Sequence, residues 1–95
     1  MRDYELVLII SPEVTEEDIP AAIDRVTSFI TARGGEIAAV DRWGKRRLAY
    51  PIKRFREGNY VISQVKLEPG ITTELEANLQ ISENILRHLL VRVDN

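Results

Sequence analysis

The spacing of apolar residues switches along the chain between strand and helix periods, and the order of those periods limits the fold more than any other feature. Tyr4 to Ile10 alternates, with Leu6, Leu8 and Ile10 on one face and Val7 and Ile9 on the other. Ile19, Ala22, Ile23, Val26, Phe29 and Ile30 then recur at helical spacing. Thr15 is the candidate N-cap of that helix, and Glu16, Glu17 and Asp18 suit its positive end. Pro20 allows the start to fall a residue or two later. Gly34 and Gly35 end the helix, one of them in the left-handed conformation. Glu36 to Ile52 is β-prone, with Gly44 marking a bulge. A hairpin turn is expected through Glu57, Gly58 and Asn59, followed by a returning strand from Tyr60 to Leu67. Pro69-Gly70 punctuates the chain, and Thr73 with Glu76 has capping-box spacing ahead of Leu75 and Leu79. Ile85 to Val93 forms the last strand.

The resulting order, β-α-β-β-α-β, specifies an α+β, ferredoxin-like sandwich: a four-stranded antiparallel sheet with two helices on one face. Residues 1–95 make one domain of that kind. Such a sheet should be apolar toward the helices and polar on its open side. Here the open side keeps apolar residues. If Leu6 and Leu8 point inward, Val7 and Ile9 point out; if Val61 and Val65 point inward, Tyr60 and Ile62 point out. The last strand offers either His88, Leu90 and Arg92 or Arg87, Leu89, Val91 and Val93 to that side. An open sheet face of this kind suits a protein or RNA partner.

Composition narrows the function by exclusion. With no cysteine, neither a disulfide nor a thiolate metal site is possible. Nothing approaches the roughly 20 apolar residues of a membrane span. "MRDYELVLII" lacks the features of a secretory signal, so the expected location is cytoplasmic. The single histidine, His88, lies in an alternating strand with no carboxylate or nucleophile beside it, which argues against a general base. Helix-end electrostatics accounts for Glu16, Glu17 and Asp18, and Gly34-Gly35 lies at the wrong pole of a helix to cradle phosphate. The expectation is a protein with no enzymatic activity, no cofactor, no metal and no small-molecule substrate.

Charge is the positive signal. Net charge is -2, yet from Asp41 to Arg56 seven basic residues accompany one acid, leaving six basic and fourteen acidic residues elsewhere. A polyanion responds to local potential across a Debye length of about 8 Å, not to the net figure. Arginine forks match phosphate oxygens, so nucleic acid is the leading partner class, with an acidic protein or a merely solvated hairpin as alternatives. Strand alternation divides the run, Arg46 with Leu48 on one face and Arg47 with Ala49 on the other.

The wording of this run is also specific. "GKRRLAYPIK", Gly44 to Lys53, resembles the signature of the bacterial small-subunit ribosomal protein six family: glycine, basic residues, Leu-Ala-Tyr, one residue, isoleucine and a basic residue. "MRDYELVLIISP" and "NILRHLLVRV" are similar to that family's opening and closing segments, so the resemblance covers essentially the whole chain. It implies a ferredoxin-like fold without enzymatic activity. It further implies binding to the central domain of small-subunit ribosomal RNA, in a heterodimer with small-subunit ribosomal protein eighteen. By family position Arg2, Tyr4, Arg87 and Arg92 would face RNA, joined by Lys53, Arg54 and Arg56 of the basic run. Lys45, Arg46, Arg47, Leu48, Tyr50, Tyr60, Ile62 and Leu89 would face the partner protein.

The same fold hosts RNA-recognition motifs, but their aromatic run is missing from "GNYVISQVKL", and Tyr60 alone is no stacking platform. Recognition should therefore depend on shape and backbone. The rival reading is a homodimeric interaction or ligand-sensing module that uses the apolar sheet face and ignores nucleic acid.

Overall fold

The structure, a computed structural model, describes residues 1–93. Its elements follow the expected order: β1 (Arg2–Ile10), α1 (Ile19–Ala32), β2 (Glu36–Ile52), β3 (Phe55–Leu67), α2 (Thr72–Gln80) and β4 (Ile85–Arg92). A 3₁₀ turn, Pro69–Ile71, leads into α2. The antiparallel sheet runs β2-β3-β1-β4, so β1 and β3 are central and β2 and β4 are edges.

Register decides which residues meet the helices. Leu6 stands opposite Ser63 and Leu90, and Leu8 opposite Val61 and His88. That face packs Leu6, Leu8, Ile10, Val61, Val65 and Leu67 against Ile19, Ile23, Val26 and Ile30 of α1 and Leu75 and Leu79 of α2. Both helices cover this one face. The ambiguous last strand is thereby settled: His88, Leu90 and Arg92 share the helix side, while Arg87, Leu89 and Val91 share the open side.

Local chemistry departs from expectation at three points. α1 has Asp18, not Thr15, at its N-cap position. The Thr15 carbonyl accepts from the Asp18 and Ile19 amides, and its hydroxyl donates to the Asp18 carboxylate, so Thr15 closes the turn before the helix. The Thr73–Glu76 capping box does not form, because the 3₁₀ turn already leads into α2; the Thr72 hydroxyl donates to the Pro69 carbonyl at 2.8 Å. The β2–β3 turn is at Lys53-Arg54, closed by Ile52 opposite Phe55. Glu57, Gly58 and Asn59 are strand residues paired with Arg47, Arg46 and Lys45. Lys53 takes the left-handed conformation (φ 57°) that a two-residue hairpin turn demands.

The glycines behave as their positions require. Gly34 leaves α1 at φ 83°, and Gly44 takes φ 82° at the bulge after Trp43. Gly35 is constrained by space: a Cβ there would lie 2.6 Å from Ile30 Cγ2 and 2.9 Å from the Lys66 carbonyl. Gly35→Ala should therefore destabilise the protein by about 2 kcal/mol in urea unfolding, the range of overpacked cores. Gly70→Ala, with nothing within 4 Å of its would-be Cβ, should change stability by no more than about 0.5 kcal/mol.

Candidate nucleic-acid and partner interface

The open face of the sheet is built by the same alternation that fills the core. Val7 stands opposite Ile62 on one side and Leu89 on the other, and Ile9 opposite Tyr60 and Arg87. Ile9 is 7% exposed, whereas Leu89 and Val91 are 54% and 44% exposed. Val7, Ile9 and Leu89, with Arg87 and His88, line a shallow hollow of about 190 Å³. Toward the other end of the face the surface turns polar, where the Gln64 amide donates to Glu5 at 3.1 Å.

The basic run is shaped by the bend of β2. Seventeen extended residues would span about 55 Å if straight, yet the molecule's longest dimension is 36 Å. Register irregularities between Ile37 and Ala39, Arg42 and Gly44, and Arg47 and Ile52 supply the bending. The hairpin arm thus returns toward β4, at the opposite edge of the sheet. Arg87 donates to the Tyr50 hydroxyl at 2.6 Å, and Arg54 pairs with Glu13 at 3.3 Å. Lys53 lines a groove with Leu79, Leu86 and Arg87. At the second of these irregularities Trp43 is half exposed, with the Arg46 guanidinium 5.3 Å from its ring.

The residues expected to face RNA fall into two groups. Lys53, Arg54 and Arg56 at the arm and Arg87 on β4 gather at one end of the sheet; Arg2 and Arg92 sit at the other. Arg92 stands opposite Tyr4 and Arg87 opposite Ile9, five residues along β1, or about 17 Å. Tyr4 is a core residue, 8% exposed on the helix side, so its position is that of a packing residue beneath Arg92. Among the described residues Arg2, Arg46, Arg47, Lys53 and Arg56 form no ion pair.

The residues expected to face a partner protein also divide. Tyr60, Ile62 and Leu89 lie together on the open face, with Tyr50 brought beside them through Arg87. Lys45, Arg46 and Arg47 run along β2, and Lys45 approaches Glu57 at 3.9 Å. Leu48 is buried, 8% exposed, outside the main core cluster. Val7, Ile9, Val91 and Trp43 complete the surface but were absent from the expected site. Alternation within β1 and β4 signals the first three; for Trp43 the signal is an extra strand residue before a bulge glycine. Among the described residues no group of three or more His, Asp or Glu side chains could hold a metal ion. No helix is long and apolar enough to cross a membrane.

Tyr50→Phe tests the bridge between arm and β4. Loss of the hydroxyl should lower amide exchange protection in the arm about fivefold, matching a hydrogen bond worth about 1 kcal/mol, with little change in global stability.

Comparison with known proteins places this surface in context. The family model described as "Ribosomal protein S6" matches residues 3–92. The small ribosomal subunit protein bS6 of Desulforamulus reducens is 44% identical over 97% of each chain. That of Moorella thermoacetica is 40% identical over 99% of this chain and 96% of its own. The crystal structure of 30S ribosomal protein S6 from Thermotoga maritima superposes with a TM-score of 0.91 at 35% identity, covering 97% of this chain and 87% of that one. The C-terminal domain of MgtC from Mycobacterium tuberculosis shares the fold alone, at 13% identity and a TM-score of 0.58.

Proposed function

The chain belongs to the ribosomal protein S6 family, a structural, non-enzymatic constituent of the small ribosomal subunit, and from that premise we propose how it is held there. It binds the central domain of small-subunit ribosomal RNA as a heterodimer with small-subunit ribosomal protein eighteen. The observation that carries this reading is one face on which exposed Leu89 and Val91 adjoin Arg87 and the returning basic arm.

Each half of that face suits one partner. Val7, Tyr60, Ile62, Leu89 and Val91 offer apolar area whose burial favours association at about 25 cal/mol per Å². Lys53, Arg54, Arg56 and Arg87 offer cations for phosphates, while Arg2 and Arg92, at the far end of the sheet on its helix side, carry the RNA contact around the sheet's end. The Arg54–Glu13 pair is solvent-exposed, so exchanging Glu13 for a phosphate forfeits about 1 kcal/mol at most. Phosphate contacts of this kind release counterions and position the protein without reading sequence.

The two contacts separate experimentally. Leu89→Asp, at an exposed position, should weaken pairing with ribosomal protein eighteen about 30-fold or more by calorimetry, since it buries a charge at the centre of the apolar patch. Arg54→Ala should leave that pairing intact and weaken RNA binding evenly across RNA sequences. It should also lower the salt slope of RNA affinity, measured with the partner present, by about one phosphate contact. A flat salt dependence would refute the phosphate contacts. Capture of the tagged chain from a bacterial lysate should recover ribosomal RNA and one small basic protein, the protein surviving ribonuclease. A concentration-independent homodimer by light scattering would favour the interaction-module reading instead.

A further inference from the structure

The layer opposite the open sheet face carries a surface of its own. Two hollows, of about 350 and 410 Å³, meet beside α1 at Ala22, Arg25 and Asn84. The first is apolar: Val26, Phe29, Leu79 and Ile85 line it, and Ile81, 80% exposed just past the end of α2, stands at its lip. The second is polar, with Glu13, Asp18 and Glu83 around it. An isoleucine so exposed beside a part-buried phenylalanine leaves apolar surface that neither the core nor the open sheet face accounts for.

The surrounding charge says what could cover it. Between Glu13 and Arg25 five acids accompany one base, and from Glu68 to Leu86 there are four acids and no base. Glu13, Glu16, Glu68 and Glu74 pair with Arg54, Arg42, the N-terminus and Arg33, which also lies over Phe29, so Glu17, Asp18, Asp24, Glu76 and Glu83 carry the unpaired charge among the described residues. Glu83 forms no ion pair among the described residues, and the Asp18 carboxylate accepts there only from the Thr15 hydroxyl. This acidic layer repels phosphate within a Debye length of about 8 Å, which disfavours nucleic acid as the occupant.

We propose that this trough docks an extended basic peptide segment of another protein. One apolar side chain seats against Phe29 and Ile81, and lysine or arginine side chains follow toward Glu83, Asp18 and Glu13. Arg25 at the junction sets the polarity, since it repels cations there and directs them to the carboxylate end. The site goes beyond the function proposed above and meets its residues only at Glu13, which pairs with Arg54 of the basic arm, so two proteins could be held at once on opposite layers.

The test is fluorescence anisotropy with the full chain and a labelled ten-residue peptide, two leucines followed by lysines and arginines. Its counterpart with glutamate at every basic position and a short RNA serve as competitors. The basic peptide should bind saturably, and Ile81→Ser and Glu83→Lys should each weaken it about tenfold. Both positions are exposed, and both variants should still capture ribosomal RNA and the protein partner. Absence of saturable binding would overturn the proposal. So would effective competition by either competitor, or peptide affinity that both substitutions leave unchanged.

Discussion

β1 is apolar on both of its faces, while the helices can cover only one. Leu6, Leu8 and Ile10 are almost wholly buried beneath α1 and α2. Val7 and Ile9 alternate with them and must face the other way. Ile9 finds cover from its neighbours across the sheet, but Leu89 and Val91 on β4 do not. The register that completes the core therefore also creates an uncovered apolar face, and no shift of one residue could repair it, because a slip would bring Val7 and Ile9 inward and turn Leu6 and Leu8 out.

The fold also sends the acidic and basic segments of the sequence to different layers. The acidic segments before and within α1 and around α2 fall in the helical layer, and the basic run falls in the β2–β3 arm. A pI near 5.4 is then compatible with a cationic surface, because the compensating acids lie on another side of the molecule. Ion pairs where the layers meet, Arg42 with Glu16 at 2.9 Å and Arg54 with Glu13 at 3.3 Å, are exposed and contribute little stability.

Most of the fold was legible because period is a strong signal over long segments: the element order and the helical face of α1 follow from spacing alone. The turn was not. Glu57-Gly58-Asn59 has turn composition, whereas the chain reverses at Lys53-Arg54, where a lysine takes a conformation normally left to glycine or asparagine. Local propensity yielded there to the pairing of a long hairpin. The site was legible in outline only. Family position assigned Tyr4 to RNA, yet its parity on β1 matches Leu6 and Leu8, and it packs with them. The nearness of Tyr50 to Arg87 could not be read at all, because it depends on how sharply β2 bends.

The same irregularities in β2 bear on how the sheet meets other copies of itself. An open sheet has two edges whose unpaired backbone groups invite further strands. Along β2 the extra residues Ala38 and Trp43 break the regular spacing that an incoming strand would need. Along β4 one extra residue, Leu86, interrupts the pairing near its start, and from there to the end Arg87 and Arg92 set a cation at each end of the edge, charge of the kind that discourages an added strand. One edge is guarded by shape and the other by charge, and the sheet resists growing by self-templating while its face stays available.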